Sequence, residues 1–352
     1  MTTFWDGPLA RAAIEDVDWA SLTHAYGAAD DVPGQLTALR SPDRPTRDKG
    51  YWALYGNIFH QGTRYAATPY AARALITLVA DPDTPERHRA LGLLAALAIG
   101  YDDAYLPHGF DVAALRREAA EVAERDPDEA RREMAAWVDE APSEDIRHNR
   151  AYHLEVFDFG FDRDCLRWAL QSYDAVRAGT AVYRVLLDDP APAVRIAAGY
   201  LLGWFPEDAP RSLPALREAL AAERHGTAKA TFAIAALLLG GDTDVAEWAE
   251  RAIRDGDEQV AWAAAFVLAC LGGGGAREEA VAVLHARIAR EAARDEPTDD
   301  TDAEPGAYAD EPAPASETEA AAKLPYLDGD TAGLAMTALE LLGEDGGDPE
   351  DL

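Results

Sequence analysis

The segments Val194–Gly199, Ala228–Ala233 and Val260–Ala265 start 34 and 32 residues apart and share one pattern of small and apolar side chains. Twelve residues after the second and third starts come Gly240 and Gly272, each preceded by leucine. A fixed period of about 33 residues marks stacked supersecondary units, each too small to bury its own apolar face without a neighbour. The repeat constrains the architecture strongly and leaves the chemistry open.

Each unit reads as a short helix, a turn and a second helix. The clearest copies are Thr180–Leu187 with Val194–Phe205, Leu213–Ala222 with Ala228–Leu239, and Val245–Arg254 with Val260–Leu271. Helix stops fall where the period demands them, at Pro206, Gly240-Gly241 and the glycine run from Gly272. Pro214 suits the first turn of its helix. The template also fits Tyr70–Val79 with Arg87–Ile99, and Gln35–Leu39 with Arg47–Ile58. Between 101 and 178 the period blurs, and irregular helix pairs are expected at Val112–Glu124, Asp128–Asp139, Ile146–Phe157 and Asp164–Val176.

These elements predict an all-α fold over residues 1–292, irregular at 101–178. Residues 293–328 read as an acidic, proline-rich disordered loop, because Asp295–Glu319 holds ten acids, four prolines and no base. A terminal repeat helix is expected within 329–345, pairing with Glu278–Ala289, and an acidic tail at 346–352.

Charge narrows the partners. The chain carries 64 acidic and 32 basic residues, a net −32. Phosphate backbones are bound by clustered Lys and Arg, so nucleic acid is not expected as a ligand. The start, Met1-Thr2-Thr3-Phe4-Trp5-Asp6, lacks the basic flank and apolar run of an export signal. The apolar stretches around 90–99 and 232–239 are about half the length that crosses a bilayer. Cys165 and Cys270 are isolated, which suits a reducing compartment. A cytoplasmic protein without a membrane span is expected.

The run Asp189-Pro190-Ala191-Pro192-Ala193-Val194-Arg195-Ile196-Ala197-Ala198-Gly199 resembles HEAT repeats, the short bacterial and phycobilin-lyase-like variety. The resemblance implies a right-handed α-α superhelix, here of about seven helix pairs. It also implies a ladder between adjacent repeats, built from an Asp and an Arg six residues later. Asp189 with Arg195 fits, Glu223 with Lys229 is a charge-conserving version, and Asp255 with Ala261 breaks the pattern. Such scaffolds host many unrelated functions. Gly56–Tyr65, together with His24-Ala25-Tyr26-Gly27, is similar to a segment of bacterial HEAT-like proteins that brings no function with it.

The densest polar cluster is Asn57, His60, Gln61, Arg64 and Tyr65, with Phe59 between two glycines. On an inter-helix loop such side chains suit recognition of a polar partner, or they cap helices and seal the first two repeats. No catalytic residue and no cofactor is expected. His148 and His153 lie five apart, off a shared helix face, and none of the eight histidines is followed by Glu. The glycine run lacks the Lys-Ser or Lys-Thr of a phosphate loop. Trp168, Trp204, Trp248, Trp262 and Phe266 read as core, or as anchors on an inner curve.

A non-enzymatic scaffold is therefore expected, holding a basic protein on an acidic inner face lined by the second helices. One version is an inhibitor or immunity-like antagonist of a basic enzyme. The alternatives are a lyase or glycosylase on the same scaffold, or a general assembly or regulatory factor. The sequence leaves the oligomeric state open.

Overall fold

The computed structural model describes residues 13–241, 243–293 and 317–344. Helices dominate, and the only strands among the described residues are two short hairpins, so the fold is all-α. In chain order come β1 (Thr23–His24), β2 (Gly27–Ala28), α1 (Val32–Ala38), α2 (Arg44–Asn57), β3 (Phe59–His60) and β4 (Thr63–Arg64). Next are α3 (Thr68–Ala80), α4 (Arg87–Ile99), α5 (Val112–Glu124), α6 (Pro127–Asp139), α7 (Glu144–Val156) and α8 (Phe159–Arg177). The remainder is α9 (Thr180–Val185), α10 (Pro192–Leu202), α11 (Ala209–Ala222), α12 (Gly226–Leu238), α13 (Thr243–Ala252), α14 (Glu258–Cys270), α15 (Arg277–Ala292), α16 (Glu317–Ala322) and α17 (Thr331–Leu341).

Local chemistry starts these helices. Asp43 accepts a 3.0 Å bond from the Thr46 amide at the head of α2, and Asp257 accepts 2.9 and 3.2 Å bonds from the Gln259 and Val260 amides at the head of α14. Each cap satisfies amides that the first turn leaves orphaned, which stabilises a helix by about 1 kcal/mol. One expected boundary shifts. Helix α11 begins at Ala209, so Pro214 lies inside it rather than at its head.

Packing follows a simple order. Helices α4, α10, α12 and α14 contact one another in sequence, and α15 and α17 close the series. The step from α4 to α10 skips more than 90 residues, so α5–α8 form a module inserted between two neighbours in space. Within it α8 lies against α3, α4 and α5, whereas α6 and α7 pair mainly with each other, and α7 buries none of its side chains.

The ladder forms with different partners from those a single repeat offers. The Arg195 side chain reaches forward to Glu223, with Nε and Nη2 at 2.7 and 2.9 Å from its carboxylate. Its Nη1 donates to the Asp189 and Pro190 carbonyls. Arg47 repeats this geometry, bonding Glu86 at 2.7 Å and the Ser41 and Pro42 carbonyls. The Asp189 carboxylate is occupied elsewhere: it holds the Ala191 amide at 3.0 Å and takes Arg87 of α4 at 2.7 Å.

Two expectations change around the C-terminal helices. Residues 294–316 of the loop expected over 293–328 lie outside the described residues, as does the tail beyond 344. The rest of that loop is ordered: α16 packs on α10 and α12, and Tyr326 is wholly buried, its hydroxyl donating to the Thr231 carbonyl at 3.1 Å. Apolar Leu324 and Tyr326 are buried and hold this segment against the chain. The second helices α12 and α14 bury most of their side chains. Trp204, Trp262 and Phe266 are buried core residues rather than anchors, with Trp168 and Trp248 half-buried.

Among the described residues no single helix is long and apolar enough to cross a membrane, though one bent pair, α14 with Gly274–Ala292, has the length and composition to do so. Most of α14 is buried by its neighbours within the chain.

Candidate functional site

The polar segment 57–65 is a β-hairpin between α2 and α3. Phe59 pairs with Arg64 and His60 with Thr63 across an antiparallel ladder, closed by Gln61-Gly62. Both turn residues have positive φ, 50° and 81°, as a two-residue turn that follows the strand twist requires, and glycine meets this at no steric cost. Gln61 therefore stands exposed at the tip.

Register decides which candidates meet. Side chains alternate across a strand, so His60 and Arg64 leave the hairpin by opposite faces. On the first face His60 meets Tyr26, from the turn between β1 and β2, with ring centroids 5.4 Å apart and Nδ1 at 3.5 Å from the Tyr26 hydroxyl. The two hairpins are tied together by the Ala25 amide, which donates to the Asn57 carbonyl at 3.0 Å, and by the Ala67 amide, which donates to the Thr23 carbonyl at 3.1 Å.

Asn57 and His24 converge on Asp31. The Asn57 amide donates to Oδ2 at 3.3 Å, Gln35 donates to the same oxygen at 2.8 Å, and His24 Nε2 meets Oδ1 at 3.0 Å. The Tyr26 amide donates to His24 Nδ1 at 3.0 Å, so that nitrogen carries no proton and Nε2–H is the donor toward Asp31. This network shapes the turn that presents Tyr26 to His60. Asn57 acts here as a brace rather than a group aimed at a ligand.

On the opposite face Arg64 enters a largely buried space between the hairpin, the 100–105 loop and α8. Its Nη1 donates to the Gly62 carbonyl at 2.6 Å, and its Nε is buried without a hydrogen-bond partner. Tyr105 and Cys165 face it, and among the described residues it forms no ion pair with a carboxylate. Burial pulls the guanidinium pKa down, opposed only in part by Tyr105 and Cys165. Burial first, then the charges of Asp162 and Asp164, pushes the Cys165 thiol up. Tyr65 packs against Trp168 with centroids 6.2 Å apart, and its phenol is raised by burial.

Exposed aromatic rings flank the hairpin on both of its faces. Tyr26 is 69% exposed, Trp52 66%, Tyr101 58% and Tyr55 39%. Tyr55 and Tyr101 both pack edge-on to buried Phe59, at 6.1 and 5.5 Å, and Trp52 stands one helical turn before Tyr55. The signal available in the sequence was the spacing of Trp52 and Tyr55 on one helix; Tyr101, far along the chain, carries none.

Among the described residues no three His, Cys, Asp or Glu side chains come together in an arrangement that could hold a metal ion. Two open grooves exist elsewhere. One of about 530 Å³ lies between α3 and α8, beside Tyr70, Arg73 and Asp174, and one of about 460 Å³ lies beside Arg287, Glu291 and Lys323. Neither gathers a nucleophile with a base, and the Asp174 and Glu291 carboxylates are engaged by Arg116 and Arg287. Comparison with known proteins returns no relative: no family model, no curated protein and no solved structure matches this chain.

Proposed function

We propose that this chain is a non-enzymatic helical-repeat scaffold of the HEAT type, acting in the cytoplasm, which binds another protein at the hairpin corner. The observation that carries the reading is the set of exposed rings flanking the second hairpin, Tyr26 against His60 on one face, Tyr55 and Tyr101 against Phe59 on the other, and Trp52 one turn from Tyr55 on α2. Tyr, Trp and Arg dominate the energetic centres of protein interfaces, because they bury large areas at a low cost in conformational freedom. Rings of this kind, on a chain of net −32, suit a partner bearing Lys and Arg, which meet ring faces and the acidic field together. The helix order α4, α10, α12, α14 and the repeated Arg47 and Arg195 geometries support the repeat architecture, a right-handed superhelix interrupted by α5–α8.

The test is affinity capture from the native cell with the intact protein and with a Tyr26→Ala/Trp52→Ala/Tyr101→Ala variant. A protein held by the former and lost by the latter, with unchanged melting temperature and with binding that weakens as salt rises, is expected. A partner retained by the variant would reject the hairpin corner as the binding surface.

A further inference from the structure

The Arg64 side chain is at odds with the rest of the molecule. Elsewhere in the chain Arg47, Arg87, Arg89 and Arg195, all at least half-buried, each hold a carboxylate. Arg64 is largely buried too, yet its only hydrogen-bond acceptor among the described residues is the Gly62 carbonyl. A guanidinium offers five N–H donors in a planar fork, and here Nε is buried and unmet. Tyr105 and Cys165 face it, and among the described residues it is in no ion pair with a carboxylate. Keeping a positive charge out of water without a counter-charge is unfavourable unless something else arrives to pair with it.

The space is also kept open for this group. Gly100, at φ 84°, lies so close that a Cβ there would sit 2.9 Å from Arg64 Nη1. Phe59 and Tyr101 wall the same side of the hairpin, and Arg64 keeps part of its surface in solvent.

We infer that Arg64 is the anchor of a binding site for a monocarboxylate that carries an aromatic or apolar body. The planar fork matches a carboxylate in two-point contact, and the rings of Phe59 and Tyr101 provide the apolar wall. The strongly negative field of the chain disfavours a dianionic phosphate relative to a single charge. The inference stands apart from the protein-binding reading, because a free acid or the end of a peptide chain would meet the same chemistry.

Calorimetric titration of the whole protein decides it. The probes are phenylacetate, N-acetylphenylalanine, the neutral amides of both, and inorganic phosphate. At least one acid should bind while its amide does not; phenylacetate alone marks a free acid, and N-acetylphenylalanine alone a chain end. The Arg64→Lys variant, which keeps the charge and loses the fork, should bind at least about tenfold more weakly, and Arg64→Met not at all. Equal binding of acid and amide, tighter binding of phosphate, unchanged affinity in Arg64→Lys, or no uptake of either acid at millimolar concentration would overturn the inference. The comparison of acid with amide uses the unaltered protein and holds even if a variant fails to fold.

Discussion

Arg87, at the head of α4, donates a 2.7 Å hydrogen bond to Asp189, a residue 102 positions later that precedes α10. Side chains on both sides are nearly buried, 11% and 7% exposed. The bond joins two helices that the inserted module separates in sequence, and it repeats the forward reach of Arg47 to Glu86 and Arg195 to Glu223. Removing one member strands the other's charge. Arg87→Met should cost about 3 kcal/mol in urea unfolding, and Arg87→Met/Asp189→Asn should recover part of that loss. A single variant with unchanged stability would show that the pair does not fasten α4 to α10.

Tyr326 fastens the C-terminal segment to α10 and α12. Its ring lies against Tyr200 at 5.0 Å and Trp204 at 6.3 Å, with its hydroxyl on the Thr231 carbonyl. Tyr326→Ala should destabilise by roughly 3–5 kcal/mol through the cavity left behind, and Tyr326→Phe by about 1 kcal/mol. Equal melting temperatures for both variants would contradict the burial described for this segment.

His88, beside Arg87, is held neutral by burial, with its pKa pulled down to about 4; Glu86 opposes the shift and Arg89 adds to it. The unfolded chain takes up this proton near pH 6.5 and the folded one only near 4. Stability should therefore fall as pH drops from about 6.5 to 4, by up to roughly 3 kcal/mol from this group alone. Glu86, whose carboxyl is held below its usual range chiefly by Arg47 against the burial that raises it, adds to the loss only at the acid end. Unfolding curves across this range should flatten in His88→Gln; an identical slope would remove His88 as the cause.

Cys270 has its thiol pushed up to about 12 by burial. It should react with a thiol reagent at pH 8 far more slowly than a free cysteine, because the thiolate is the nucleophile. Fast labelling of the folded Cys165→Ser variant would contradict this.

Much of the helical pattern could be read directly from the chain. The stops at Gly240 and Gly272 and the small-residue runs from Val194, Ala228 and Val260 are local signals, and α10, α12 and α14 lie on them. Long-range pairing left no such trace. Nothing in the sequence says that α4 meets α10, or that Tyr326 returns to Thr231, because both depend on where a chain ends up after a long excursion. The hairpin was visible as a polar cluster with two glycines, but its ladder splits that cluster. His60 and Arg64 part company at the one-residue level, which composition cannot show. Tyr26 stands in the sequence only as part of a similar segment, and its contact with His60 follows once the two hairpins are bonded together.

The central claim is that the hairpin corner is where another protein binds. Its most direct measurement is site-specific photo-crosslinking in the native cell, with a photoreactive side chain placed at position 26 or 101 and, as a control, at the exposed position 185. Discrete adducts to one protein from 26 and 101, and none from 185, are the result this account predicts. Adducts from 185 alone, or none from 26 and 101, would contradict it.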